Sequence, residues 1–276
     1  MAAAAGPAWI RDARHVQLAI LALLLAINLI AVDFGADLLA AAVAVAAAVA
    51  TQAGCSRLVG LPRVEWRSAV IAALSLTLLL RGDALWVHAV AAAVAIAAKF
   101  FVRVRGKHVF NPSALGIAVL IFATDHAWVS PGQWGTSAWF AVLLTLLAAW
   151  VLHASRRTDI ALFYLCSHCG LLLVRAWWLG DPIAIPLNQV QSGSLLLFSF
   201  FMISDPRTVP DARPARLLFA VVVAVTAHWL AFQWHFRPAL YAALVALSPL
   251  IPLLDRLFPA DRFEWQAPAT EGTPSC

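Results

Sequence analysis

Charge is scarce in this chain. Only 12% of its 276 residues are Asp, Glu, Lys or Arg, about half the share in an ordinary soluble domain. Cysteine is scarce too: Cys55, Cys166 and Cys169 lie in or beside apolar runs and Cys276 stands alone at the end of the sequence, which argues against a disulfide framework of the small secreted kind. The sequence has no Gly-rich nucleotide loop, no nucleophile elbow and no zinc-protease motif, so the familiar soluble catalytic patterns are excluded. Apolar residues make up 63% of the chain and come in long unbroken blocks, the pattern of a polytopic membrane protein. The net charge of +5 does not point to nucleic acid, because the cations sit in short loops between apolar runs and not on one continuous face.

Ten apolar runs cover residues 16–33, 37–53, 68–80, 84–102, 110–124, 137–154, 159–178, 192–204, 215–233 and 238–254. The fold class expected is all-α, with about ten transmembrane helices. The first run reads as a first span because many others follow it, and the Ala-rich start Met1–Ala8 reads as a tail. With both termini in the cytoplasm, strict alternation puts sixteen of the nineteen Lys and Arg residues inside. Only Arg81, Arg175 and Arg237 fall outside, as the positive-inside rule requires. Ten spans divide into five plus five, and a second copy of an odd-numbered repeat enters the membrane upside down. The third run (Ser68–Leu80) and the eighth (Ser192–Ile203) are both short and hold matching places in the two halves, which points to a site between inverted repeats. The chain is expected to be a single membrane domain. Repeat 1 covers about 16–124, repeat 2 about 137–255, and residues 256–276 form a polar cytoplasmic tail with Asp261, Arg262, Glu264 and Glu271.

Two stretches carry the chemistry. In the first, Lys99, Arg103, Arg105 and Lys107 end an apolar run, Gly106 breaks the chain, and Asn111-Pro112 opens the next run. Asn is a good N-cap and Pro a good first helical residue, so a helix start lies beside a basic surface, suited to an anionic group. Its alternative is a plain cap plus a positive-inside loop. In the second, Phe200-Phe-Met-Ile-Ser-Asp205-Pro206-Arg-Thr208 ends an apolar run on a carboxylate, which either binds a cation or caps the following turn. Ser192-Gly193-Ser194 permits close backbone approach and reads first as packing. Cys166-Ser167-His168-Cys169 has metal-like spacing without four visible ligands, so no metal is expected. His88, His153 and His228 read as packing, and Trp128, Trp134, Trp177 and Trp178 as an interfacial belt.

Lys107-His-Val-Phe-Asn-Pro-Ser-Ala-Leu-Gly116, then Ser192-Gly193, then Ser204-Asp205-Pro206-Arg-Thr208 resemble, in order, motifs of the membrane family that contains NqrB and RnfD. These are subunits of the Na⁺-pumping NADH:quinone oxidoreductase and of the Rnf complex. The resemblance runs from about Ser68 to Asp255. It implies two inverted five-helix halves, a fold compared with urea-type channels, and electron transfer through flavin coupled to Na⁺ or H⁺ movement. It also implies a cofactor-binding set of Arg105, Lys107, His108, Asn111, Pro112, Ser192, Gly193, Asp205, Pro206 and Thr208 lining the region between the halves. The family's covalent FMN rides on a Ser-Gly-Ala-Thr threonine. Here the corresponding stretch, Asp125–Ser137, holds only Thr136 and lacks that motif, so covalent FMN is not expected and a non-covalent riboflavin or FMN is.

The resemblance therefore implies a multi-pass subunit of the bacterial inner membrane, with both termini cytoplasmic and no NADH site of its own. Its expected partners are lipid and other subunits of an electron-transfer complex, not nucleic acid. The alternative is a small-molecule transporter or channel on the same fold, without redox chemistry and tied to a biosynthetic gene cluster.

Overall fold

The computed structural model describes residues 13–32, 37–130, 132, 134–155 and 157–263. Met1–Ala8, Arg11, Arg156, Glu264, Glu271 and Cys276, which entered the expectations above, lie outside the described residues. Each of the ten apolar runs contains a helix. The first is α1 (Ala13–Ile27), which continues as a π turn at Asn28–Val32. Then come α2 (Leu38–Leu58), α3 (Trp66–Leu79), α4 (Leu85–Phe101) and α5 (Pro112–Ala123). The second half has α6 (Ala138–Ser155), α7 (Thr158–Leu179), a short α8 (Ala184–Val190) and α9 (Gly193–Leu197), which runs into a π turn at Phe198–Met202. The chain closes with α10 (Arg213–Gln233), α11 (Ala239–Leu247), a 3₁₀ turn (Ser248–Leu250) and α12 (Ile251–Leu257).

Four of these helical stretches are long and apolar enough to cross a bilayer: Leu38–Leu58, Thr158–Leu179, Arg213–Gln233 and Ala239–Leu257. The other six are apolar but shorter, and the two with matching places in the halves, α3 and α9, are among them. Outward faces are apolar, with Leu146, Trp150, Phe122, Val174, Trp177 and Trp178 all exposed. A soluble monomer does not leave that much apolar surface in water; the chain is an integral membrane protein. Trp134 departs from the expected belt. It is fully buried and donates its indole N–H to the Leu78 carbonyl at 2.7 Å, so it is a core residue, unlike Trp177 and Trp178.

The helix ends follow local chemistry. Asn111 caps α5 with its side-chain oxygen accepting from the Ala114 N–H at 3.0 Å, and Pro112 holds the first helical position. Gly180, at φ +70°, closes α7 in the left-handed conformation that glycine adopts without penalty. Two short ladders join the helices. In the first, β1 (Arg81–Gly82) pairs with β4 (Ala127–Trp128). In the second, β2 (Arg103–Val104) pairs with β3 (Lys107–His108) across Arg105-Gly106. Both loop residues have positive φ, 52° and 80°, the demand of a tight two-residue hairpin. The expected break at Gly106 is thus a hairpin turn that aims the α4–α5 connection back over the bundle.

In the first half, α2 packs along α4, α4 along α5, α2 along α3 and α1 along α3. In the second half, α7 packs along α10 and α10 along α11, while α9 with its π turn meets α7 and α6. Between the halves α1 touches α6, and α5 touches α11. One contiguous apolar core runs through both halves, with Leu76, Leu78, Ile117, Phe198 and Phe219 among its fully buried side chains. Buried Arg216 ties α10 to α7 through Asp159, with its Nη2 2.7 Å from Oδ2.

Candidate functional site

The two chemically distinctive stretches meet. The Asn111 side-chain amide donates to the Asp205 carboxylate at 3.3 Å and to the Met202 carbonyl at 3.2 Å, while its oxygen caps α5. Met202 is the last residue of the π turn, a distortion that leaves carbonyls looking for donors. Asp205 accepts the Arg207 N–H at 3.1 Å, and Thr208 donates its N–H to the Asp205 carbonyl at 3.1 Å. The carboxylate therefore caps the turn that Pro206 sharpens and also receives a contact from the other half of the chain. Burial pushes the Asp205 carboxyl up from its ordinary value, against the pull of the Arg207 N–H and guanidinium.

Around this junction lies a cavity of about 530 Å³. Its walls include Gln52 from α2, Ser68 and Ser75 from α3, Lys99 and Phe100 from α4, Asn111 and Ser113 from α5, and Phe200, Phe201 and Asp205 from α9 and the turn after it. Lys99 is only 7% exposed. Its ammonium donates to Ser68 Oγ at 2.7 Å and Gln52 Oε1 at 3.4 Å. An ammonium has three N–H donors, so two protein acceptors leave one for whatever enters the cavity. Arg103 lies one turn on; it donates to the Lys99 carbonyl, and its guanidinium stands 5.5 Å over Phe100. Arg14 and Glu65 pair on the same wall at 3.0 Å.

His108 lines the cavity, and its Nδ1 has no hydrogen-bond partner among the described residues. Desolvation, with Arg103, Lys99 and Arg207 adding repulsion, lowers its pKa to about 3. The unfolded histidine, with an ordinary pKa of about 6.5, takes up a proton that the folded one refuses. Stability is therefore highest above pH 6.5 and falls as the pH drops from 6.5 toward 3, by at most about 1.4 kcal/mol per unit from this group. Thermal midpoints of wild type and His108→Asn in detergent should diverge progressively below pH 6.5, with the variant losing less. Parallel curves would show that His108 is not held neutral.

The other expected site residues separate into groups. His108, Asn111, Pro112, Asp205 and Pro206 line the cavity. Thr208 is buried behind it and holds the Asp205 turn. Lys107 is taken up by Asp211 at 2.9 Å and Asp255 at 2.8 Å, and Arg105 lies on a neighbouring surface pocket with Asp255 and Pro259. Ser192 and Gly193 stand at the opposite end of α9. An added Cβ on Gly193 would come within 2.5 Å of Trp134 Cβ, a packing role. Ser192 faces a second cavity, of about 560 Å³, whose lining is mostly apolar and includes Thr136, His168, Phe232, Phe236 and Tyr241. Among the described residues no three of His, Cys, Asp and Glu converge on a metal position.

Lys99, Arg103, Gln52 and Ser68 were not among the expected site residues. Lys99 is a cation inside the last stretch of an apolar run, and Gln52 is a lone amide in an alanine run; those were the available signals.

No family model matches the chain. Among curated proteins it is similar to the D subunit of the ion-translocating oxidoreductase complex of Stutzerimonas stutzeri, 34% identical over 71 residues, 26% of this chain and 20% of the relative. The D subunit from Escherichia fergusonii is 31% identical over 130 residues, 45% of this chain and 34% of the relative. That from Mannheimia succiniciproducens is 25% identical over 129 residues, 43% and 34%. The matched segments thus span a fifth to a third of the relatives' length. The chain is a distant relative of the D subunits of ion-translocating oxidoreductase complexes.

Proposed function

We propose that this chain is the membrane subunit of an electron-transfer system and holds a non-covalent flavin in the cavity around Asn111 and Asp205, between two inverted halves. The observation that carries this is the hydrogen bond from Asn111 to Asp205. It joins the two motif stretches at the wall of a cavity large enough for a tricyclic ring. Phe100, Phe200 and Phe201 supply apolar walls for such a ring, Gln52, Ser75 and Ser113 supply edge contacts, and Lys99 a positive charge for an electron-rich edge. The orphaned Nδ1 of His108 and the third N–H of Lys99 fit a ligand with polar edges. When bound, a flavin brings one- and two-electron chemistry. The chain's own residues orient it and set the charge around it. Thr136 lies on the other cavity without the Ser-Gly-Ala-Thr motif, so no covalent attachment is proposed.

The packing supports inverted halves. Exchanging α1 with α6, α2 with α7, α3 with α9, α4 with α10 and α5 with α11 turns the contacts of α2 with α4, α4 with α5 and α1 with α3 into those of α7 with α10, α10 with α11 and α6 with α9. The two contacts between halves, α1 with α6 and α5 with α11, map onto themselves, as a two-fold axis demands. Ten spans, both termini cytoplasmic, in a bacterial inner membrane, complete the picture. The flavin cavity then opens to the cytoplasm, where an electron-donating partner docks and supplies any NADH chemistry. Na⁺ or H⁺ movement accompanies electron flow. A small-solute pore is the second reading, favoured by the cavities at the two ends of α9.

The test is a visible spectrum of the purified protein before and after acid precipitation. Yellow colour released into the supernatant is expected. Asn111→Ala and Asp205→Asn should each lower flavin content by roughly an order of magnitude, the size of a lost charge-assisted hydrogen bond. A protein that stays colourless after flavin is added back, and that passes small solutes in liposomes, would replace electron transfer with the pore.

A further inference from the structure

Past its last helix the chain doubles back over the β2–β3 hairpin. Residues 258–262 are exposed, and only Phe263 is half-buried. Two pockets lie along this segment. One, of about 170 Å³, is lined by Pro259, Ala260 and Arg262 against Val104 and Arg105 of the hairpin. The other, of about 290 Å³, is lined by Arg262 and Phe263 against Gly106, Pro206 and Arg207. The segment thus bridges the hairpin without packing down on it; the Arg262 guanidinium would stand 3.7 Å from a Cβ added at Gly106. The larger pocket shares Arg103, His108, Pro206 and Arg207 with the cavity around Asn111 and Asp205. Whatever roofs the pocket therefore also roofs one side of the cavity.

Both ends of the segment are held. At one end the last turn of α12 is fixed through Asp255, which meets Lys107 at 2.8 Å. At the other, Phe263 lies on Arg157, the cap residue of α7, with its ring centre 5.2 Å from the guanidinium carbon. Arg157 is only 7% exposed. Its Nε is buried without a hydrogen-bond partner, and among the described residues no carboxylate comes within ion-pair distance of it. A buried guanidinium is costly unless it is paired and hydrogen-bonded, and an aromatic face returns only part of that cost. Lifting Phe263 gives Arg157 back to water, which offsets the lost ring contact. That is the balance of a catch and not of a fixed core contact. Exposed backbone with voids on both sides is also the kind of segment that opens locally. We propose that residues 258–263 form a strap over one side of the cavity, hinged after α12 and latched by Phe263 on Arg157, and that lifting it joins pocket and cavity into one open cleft. The strap gates entry whichever ligand or solute the cavity takes.

The test reads how fast a water-soluble thiol reagent reaches the cavity. Ser75 lines the cavity and is buried, and a cysteine there changes little in size. The full-length Ser75→Cys protein in nanodiscs is treated with the anionic reagent sulfonatoethyl methanethiosulfonate, and labelling is read at that position by peptide mass spectrometry. Thr136→Cys, on the second cavity, is labelled as the control. Phe263→Ala is expected to speed labelling of Ser75→Cys by about tenfold, the population shift that a lost cation–π contact allows, and to leave the rate of Thr136→Cys unchanged. Phe263→Tyr keeps an aromatic face and should keep the slow rate. An unchanged rate at the Ser75 position in Phe263→Ala would overturn the strap. Equal acceleration at both positions would overturn it too, since it would mean general loosening. A Phe263→Tyr protein as fast as the alanine variant would leave the ring with no part in the latch and would overturn it as well.

Discussion

Lys107→Ala should lower the thermal midpoint of the detergent-solubilised protein by roughly 10 °C, from a loss of about 3–5 kcal/mol. Lys107 meets Asp211 at 2.9 Å and Asp255 at 2.8 Å, with side-chain exposures of 12, 7 and 19%. At that degree of burial the pair is not the weak surface kind. The loss comes mainly from what remains: two carboxylates facing each other with their cation gone. Asp255 cannot turn away, because its other oxygen accepts the Asp211 N–H at 2.8 Å. Together the three residues join the hairpin after α4, the loop before α10 and the last turn of α12. The expected rescue is specific. Adding Asp211→Asn and Asp255→Asn to Lys107→Met removes both stranded charges and keeps the amide oxygen that the Asp211 position needs, so most of the midpoint should return. A Lys107→Ala drop below about 2 °C would mean that the triad is solvated and carries no structural weight.

That triad marks the limit of what the sequence makes legible. The ten apolar runs could be read because charges are so rare that the few present punctuate them. The α5 cap could be read because Asn111-Pro112 is a local signal. The partners of Lys107 could not, since they lie 104 and 148 positions further on and no local pattern links them. Counting Lys107 as a ligand for an anion ignored the possibility that its charge was already spent. Lys99 erred in the other direction. As a cation at the end of the run 84–102 it counted only toward a basic surface, yet it sits in the last turns of α4 with its stem buried and its head on Ser68 and Gln52. Long cationic side chains can bury their stems this way, and sequence position cannot say whether the head reaches water or a cavity. Trp134 shows the same ambiguity. An indole near an expected membrane surface fits an interface belt, but here its N–H goes to the Leu78 carbonyl, which ties the loop before α6 to the end of α3.

The second large effect is expected at Gly116, in the middle of α5. A Cβ there would lie 2.5 Å from the Ala91 carbonyl oxygen of α4 and 3.0 Å from Leu76 Cδ1 of α3. Alanine is the better helix former by about 1 kcal/mol, so a helix considered alone would gain from Gly116→Ala. The clash should win, because Ala91 O is backbone and cannot rotate aside. Overpacking of this kind costs about 1–3 kcal/mol when neighbours can give, and more when they cannot. Gly116→Leu should yield no folded protein. Gly170 in α7 provides the control: a Cβ there meets nothing within 4 Å, so Gly170→Ala should be neutral or stabilising by up to about 1 kcal/mol. Thermal midpoints of the two alanine variants should therefore move in opposite directions, and movement in the same direction would mean that α5 does not press against α4 as closely as the geometry requires. The consequence reaches the cavity. Gly116 is five residues past the cap, so pushing α5 away from α4 carries Asn111 with it, and the hydrogen bond to Asp205 is only 3.3 Å long to begin with. Gly116→Ala should then lose ligand at the cavity before it unfolds, whereas Gly170→Ala should keep it. That order of events would tie the close packing of α3, α4 and α5 directly to the site their ends build.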